Sequence, residues 1–218
     1  AVDAAVGGKT GINFNGLKNE IGAFNMPKAV IFYSGFLKTL DKKNILSGYS
    51  EMLKHGLLSE VNYFEDLLKL NLDNPDSKSF LVAIRKSVEV KNDIVQKDPK
   101  ETSLRKALNL GHTAGHAFES LSHKREEPVL HGYAVAWGLI CELFLSYKKF
   151  RFSNKILQQL ITFIKEEYGV YPISCNDYDY LIEAMTHDKK NEGDAINFTL
   201  LSDIGDIWLD QTVDKKTI

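Results

Sequence analysis

The chain has 218 residues, enough for one large domain or one domain plus part of another, and 44% hydrophobic with 26% charged residues suits a folded protein rather than a disordered one. Its 27 basic and 29 acidic side chains leave a formal net charge of -2, so there is no broad cationic field for nucleic acid or an anionic membrane. Two cysteines, Cys141 and Cys175, exclude a disulfide framework and fit a reducing, cytoplasmic setting, and no apolar run is long enough to cross a bilayer.

Residues 1–38 are rich in Gly and Asn and begin without Met, inside a glycine motif, which leads us to expect an upstream segment. The apolar run Ala29-Val30-Ile31-Phe32-Tyr33, followed by Ser34-Gly35, predicts a short buried strand. A lone strand cannot satisfy its edges, so its partners are expected outside this chain. Helical spacing begins near Asp41, a plausible N-cap for a helix containing Ile45, Leu46, Met52 and Leu53. Further helices are expected at about 60–71, 77–97, 102–122, 132–149, 153–168 and 177–187, with Asn74-Pro75 breaking the chain between the first two. Two short apolar runs around Gly205, 195–201 and 206–209, predict a β-hairpin. The fold class expected is therefore mainly α: a multi-helix domain at 39–218 with a β-hairpin near its C-terminus, preceded by a remnant of an α/β domain at 1–38.

Chemistry concentrates in a few places. His112 and His116 are four apart and share a helix face, His131 opens the next apolar helix, and Glu51 sits on an earlier one, with Lys54 and His55 a turn further on. Imidazole and carboxylate together suit a catalytic zinc that keeps one position open. A histidine pair at this spacing also serves as an ordinary surface or core feature, although the glycines beside both histidines point to close backbone approach. Gly7-Gly8-Lys9-Thr10-Gly11-Ile12-Asn13 reads as a turn or as a phosphate or cofactor loop, without the P-loop spacing. Lys91, Glu101 and Arg105 precede Asn109 in a polar series, and Asp188-Lys189-Lys190 has the composition of a charged loop.

Taken in order, these segments resemble the 3-dehydroquinate synthase family. The matching stretches are Asp3 with Gly7-Gly8-Lys9-Thr10-Gly11-Ile12-Asn13, then Lys18-Asn19-x-Ile21-Gly22-Ala23-Phe24, then Glu51-x-x-Lys54-x-Gly56-Leu57. Leu104-Arg105-x-x-Leu108-Asn109-x-Gly111-His112-Thr113-x-Gly115-His116-Ala117, Leu130-His131-Gly132 and Asp188-Lys189-Lys190 complete the set, which spans nearly the whole chain. The resemblance implies a cyclising lyase of the shikimate pathway that uses NAD and one divalent metal, zinc as a rule. It turns 3-deoxy-D-arabino-heptulosonate 7-phosphate into 3-dehydroquinate and phosphate. Glu51, His112 and His131 would be the metal ligands and His116 a proton-transfer residue, with Glu101 close to substrate. Lys54, Lys91, Arg105 and Asn109 would hold substrate carboxylate, hydroxyls and phosphate, with Lys9, Asn19 and Asp3 closing the other side and Lys189 or Lys190 adding phosphate contact. Lys18 and Phe36, Leu37, Lys38 and Thr39 would touch the cofactor, which is held mostly by an N-terminal domain absent from this chain. A homodimer and a cytoplasmic enzyme are further implications, and this piece alone is expected to be inactive.

Tyr133 stands where the family commonly has Glu, Ser47 where it often has Asn or Ala, and the segment between His116 and His131 is slightly long. Other readings are a related sugar-phosphate cyclase, a metal-dependent polyol dehydrogenase, or a non-catalytic metal-binding helical module.

Overall fold

The computed structural model describes residues 3–14, 17–75, 77–186, 196–213 and 217–218, with the side chains of 13–20 set aside. Near the N-terminus, β1 (Lys9–Phe14) and β2 (Leu17–Phe24) form an antiparallel hairpin with Lys9 opposite Phe24 and Ile12 opposite Ile21. The sequence reading treats this stretch as a turn or loop, because glycines in and beside the strands blur the alternation of side chains. The strand expected over 29–33 does not form. Ile31 and Tyr33 are 89% and 67% exposed, and the irregular backbone runs into a 3₁₀ turn at Ser34–Thr39. A strand forms where a neighbouring edge takes up its backbone groups, and among the described residues none is offered to this run.

Helix α1 (Lys42–Leu57) starts where Asp41 accepts a 2.8 Å hydrogen bond from the backbone N–H of Asn44, the expected cap. Helix α2 (Val61–Leu68) follows, and α3 (Lys78–Lys97) begins at Ser77, whose hydroxyl accepts from Phe80 N. On α3 the residues Phe80, Ala83, Ser87, Lys91, Ile94 and Val95 form one buried stripe, so two polar side chains are carried into the interior along with the apolar ones.

The single helix expected over 102–122 is two elements. A 3₁₀ helix spans Leu104–Asn109 and is capped by Leu110, Gly111 follows in a left-handed conformation (φ 79°), and α4 (His112–Lys124) starts afresh from there. A Cβ on Gly111 would stand 2.7 Å from Leu139, so glycine answers both the backbone angle and the contact. Helix α5 (His131–Phe150) is the centre of the molecule, with Ala134, Val135, Ala136, Leu139 and Leu143 fully buried and α1, α4, α6 and β3 packed around it. Its Gly138 lets α4 approach closely, since a Cβ there would fall 2.1 Å from the carbonyl oxygen of Gly111.

Helix α6 (Asn154–Glu167) covers another side of α5, and α7 (Tyr178–Thr186) packs on α4. The predicted C-terminal hairpin is present as β3 (Asn197–Asp203) and β4 (Asp206–Thr212), turning at Gly205 with φ 81°. Cys141 is half-buried and Cys175 exposed, both unpaired, and among the described residues no helix is long and apolar enough to cross a membrane.

Candidate metal and anion site

Three helices bring the candidate ligands together. Glu51 is on the buried side of α1, His112 is the first residue of α4 and His131 the first of α5. Oε1 of Glu51 stands 3.5 Å from Nε2 of His112 and 3.5 Å from Nε2 of His131. Two ligands held about 2.1 Å from a tetrahedral ion are about 3.4 Å apart, so this spacing fits a small divalent metal held between them. The other nitrogens of the two rings are engaged elsewhere: Nδ1 of His112 lies 3.1 Å from the carbonyl of Leu110, and Nδ1 of His131 lies 3.0 Å from Oε2 of Glu119. Such outer partners fix ring orientation and leave Nε2 for the metal. Burial, aided by the nearby Lys54 ammonium, pushes His112 down to about 3, so its ring is neutral at ordinary pH as a ligand must be. His116 completes the group, its ring centroid 5.4 Å from that of His112 and 5.9 Å from that of His131.

Beside this group lies a buried set of alternating charges. Lys54, 1% exposed, donates to Oε2 of Glu51 at 2.5 Å and stands 3.8 Å from Oδ2 of Asp3. Lys91 pairs with Oδ1 of Asp3 and donates to its backbone carbonyl at 2.6 Å. Burial alone would raise Glu51, yet the Lys54 ammonium and the two imidazoles outweigh it and hold the carboxyl well below its usual range. Burial likewise works against charge on Lys54, and Asp3 with Glu51 reverses the effect so that its pKa rises. For Lys91 burial wins, and its pKa falls. Asp3, Glu51 and His55 form a second group with ligand-like spacing, but the ammoniums of Lys54 and Lys91 occupy the same neighbourhood and would repel a cation there.

The loop before α4 supplies the remaining groups. Asp98 gathers it by accepting from the N–H groups of Thr102, Ser103 and Arg105 at 3.0, 2.7 and 3.0 Å. Burial opposes ionisation of Asp98, but these donors more than offset it and depress its pKa. The loop turns through Glu101 at φ 60°, a left-handed angle uncommon outside glycine. Glu101 there meets the ammonium of Lys9 and, at 3.4 Å, the amide of Asn109. Arg105 is buried, donating 2.7 Å bonds to the carbonyls of Pro99 and Gly7. Gly7 is required here, since a Cβ would stand 2.4 Å from the guanidinium and φ is 106°. The Nε–H of Arg105 finds no acceptor among the described residues.

Asp3, Glu51, Lys54, Lys91, His112, His116 and His131 therefore form one linked set, Lys9, Glu101 and Asn109 form a second, and Arg105 is tied to the carbonyls of Pro99 and Gly7. Phe36, Leu37, Lys38 and Thr39 sit in the 3₁₀ turn at Ser34–Thr39, with Phe36 74% exposed and edge-on to Tyr33, and Thr39 donating to the Phe36 carbonyl. These contacts do not reach the histidines. The side chains of Lys18 and Asn19, and the whole of Lys189 and Lys190, lie outside the described residues. Sequence reasoning missed Glu119, Asp98 and Glu142. Glu119 was discoverable, because 112, 116 and 119 follow i, i+4, i+7 along one face. A groove of about 580 Å³ between α2 and α6, lined by Glu65, Lys69, Lys155 and Phe163 among others, contains none of the site residues.

The helices thus bring together a carboxylate, three imidazoles and nearby cations, donor types that suit a divalent metal and an anion. Two family models match in sequence order, "3-dehydroquinate synthase N-terminal" over residues 1–47 and "3-dehydroquinate synthase C-terminal" over residues 48–191. The chain belongs to the 3-dehydroquinate synthase family. It is 53% identical over 218 residues to the 3-dehydroquinate synthase of Parabacteroides distasonis, covering 100% of this chain and 62% of that protein. To the 3-dehydroquinate synthase of Staphylococcus aureus strain JH9 it is 40% identical over 226 residues, covering 100% of this chain and 61% of the relative. The chain thus spans about three-fifths of the relatives it matches. Among solved structures, ValA, a 2-epi-5-epi-valiolone synthase from Streptomyces hygroscopicus subsp. jinggangensis 5008 with NAD+ and Zn2+ bound, shares the fold. It has a TM-score of 0.85 at 22% identity, covering 99% of this chain and 60% of that one. A 2-deoxy-scyllo-inosose synthase complexed with carbaglucose-6-phosphate, NAD+ and Co2+ follows at 0.80 and 20% identity, covering 99% and 61%.

Proposed function

We propose that this chain is the metal- and substrate-binding part of a 3-dehydroquinate synthase, a carbon–oxygen lyase that closes 3-deoxy-D-arabino-heptulosonate 7-phosphate to 3-dehydroquinate with release of phosphate. The observation that carries the reading is the 3.5 Å spacing from one oxygen of Glu51 to both His112 and His131, set against the buried cations Lys54 and Lys91. Family membership supports this choice of reaction. NAD would be held mainly by a domain beyond this chain, with 1–38 contributing to that domain and 39–218 forming the helical one. We assign Lys18 and 36–39 to the cofactor side on the family resemblance alone, and a homodimeric, cytoplasmic enzyme on the same ground.

In this reading Glu51, His112 and His131 hold a divalent metal, zinc by the nitrogen and oxygen donor set. When bound, the metal supplies Lewis acidity toward a substrate hydroxyl. The chain's own residues do the rest. Lys54 and Lys91, fixed in place by Asp3, present positive charge to substrate anions without reorganising. Arg105 is locked by two carbonyls with its Nε–H left without an acceptor among the described residues, and Asn109 with Lys9 orients Glu101. His116, a helical turn beyond His112, is placed to carry a proton to or from substrate. Lys189 or Lys190 would add a phosphate contact.

The test uses the full-length protein. His112→Ala should abolish stoichiometric zinc, whereas His116→Ala should keep zinc and lose turnover. Loss of zinc in both variants would overturn the ligand assignment. Product analysis with the heptulosonate phosphate and with sedoheptulose 7-phosphate fixes the substrate: dehydroquinate is expected from the first, and turnover of only the second would make the enzyme a different sugar-phosphate cyclase.

A further inference from the structure

Helix α4 carries His112 and His116 but has no cap of its own, because its N-cap residue is Gly111. The N-terminus of a helix leaves four N–H groups without intrahelical partners, and here three of them are answered from another helix. Glu142, in the interior of α5 and 0% exposed, accepts from Gly111 N at 2.7 Å on Oε2, and from Thr113 N at 2.9 Å and Ala114 N at 3.2 Å on Oε1. A buried carboxylate is costly unless so paired, and the positive end of the α4 dipole adds to the compensation. The two oxygens grip the backbone on either side of His112. That residue's ring is oriented in turn by the carbonyl of Leu110, at the edge of the same grip. The same turn of α5 is anchored further: the carbonyl of Glu142 accepts from Ser146 Oγ at 2.8 Å, and that oxygen accepts from Leu201 N of β3 at 3.0 Å.

We propose that Glu142 is a positioning residue for the metal centre, holding residues 110–114 in the one path that aims Nε2 of His112 at Glu51. It touches no reacting atom and acts through His112. The inference rests on the metal-binding reading of Glu51, His112 and His131, and extends it to a side chain that the ligand set does not include.

The experiment measures Co2+ affinity by chelator competition, together with the visible cobalt spectrum, in the full-length protein and its Glu142→Ala and Leu160→Ala variants. Leu160 is buried on α6, and its truncation supplies a destabilised control remote from α4. Glu142→Ala is expected to weaken Co2+ binding about ten- to hundred-fold and to alter the cobalt bands, the usual range for loss of an outer-shell partner, while Leu160→Ala leaves both near wild type. Wild-type affinity in Glu142→Ala, or an equal loss in both variants, would overturn the proposal. Should Glu142→Ala not fold, Glu142→Gln is read in the same way: a single acceptor oxygen remains, a several-fold loss is expected, and unchanged affinity overturns the assignment. A wild-type protein that binds no Co2+ would instead refute the metal-site reading itself.

Discussion

Replacing Lys54 with methionine removes an ammonium from the interior while nearly preserving volume. In the wild type this group lies 2.5 Å from Glu51 and 3.8 Å from Asp3, so its loss leaves two buried carboxylates short of a countercharge. Removing one partner from a buried ion pair typically costs about 3–5 kcal/mol. For a chain of this size about 2–4 °C of Tm goes with each kcal/mol, so a drop of roughly 6–20 °C follows for the metal-free protein. The pH dependence carries the physical cause. In the wild type Glu51 and Asp3 have folded pKa values below their ordinary 4.5 and 3.8, so their stabilisation is present above those values and lost as pH falls through the folded ones. Without Lys54, the largest influence lowering both carboxyls is gone while burial remains, so both shift upward from their wild-type values and take up protons more readily as pH falls. The gap between variant and wild type should therefore be widest near pH 7 and shrink toward pH 4. Urea unfolding of both proteins across pH 4–8, with chelator present, reads it directly. A difference below about 1 kcal/mol, the size found for solvated surface pairs, or one that stays flat with pH would refute the reasoning.

Further outcomes are expected at other positions. Burial pushes His55 down to about 4 from 6.5, so it costs no stability above pH 6.5, and stability falls as pH drops from there through about 4, by roughly 3 kcal/mol. His55→Gln should remove that part of the acid limb in metal-free denaturation curves, and an unchanged limb would count against a neutral buried imidazole. Gly138→Ala would set a Cβ 2.1 Å from the Gly111 carbonyl and 2.7 Å from Gly115 N, forcing α4 from α5. A loss of about 1–3 kcal/mol or more is expected, with weakened zinc binding in calorimetric titration of the same variant. Tyr168→Phe removes the 2.9 Å hydrogen bond to Leu46 and should cost about 1 kcal/mol in thermal unfolding while zinc affinity stays unchanged.

Much of this molecule is legible because its helices advertise themselves. Asp41 caps where its side chain predicts, and the 3.6-residue periodicity of α3 and α6 gives their extents to within a residue or two. The break at Gly111 was hidden because Leu104, Ala107, Leu108 and Leu110 continue a helix-like apolar pattern, and only the left-handed angle, a tertiary matter, ends it. The hairpin of β1 and β2 was hard to read because glycines in its strands suit loops as well as sheet. The run at 29–33 shows the converse: strand composition without a partner edge yields no strand. Within the site, His112, His131 and Glu51 were nameable from family resemblance. Glu142 was not, because its role depends on which helix crosses α5 at that turn, although a lone carboxylate within an apolar stretch was itself a warning.

The division of labour between helices and loop has a consequence for how such a protein changes over generations. The candidate metal ligands issue from helices pinned together by glycines that tolerate no added carbon, as at Gly138 against Gly111 and Gly132 against Ser47. Glu101, Arg105 and Asn109 instead hang from a short segment cinched by one side chain, Asp98. Drift in the first set breaks the scaffold, whereas in the proposed site drift at Glu101 and Asn109 would reshape what is recognised with less disturbance of the packing, Arg105 being the buried exception. New ligand preferences should therefore be sought by randomising 99–104 while holding Asp98 and every glycine of the α4–α5 crossing constant.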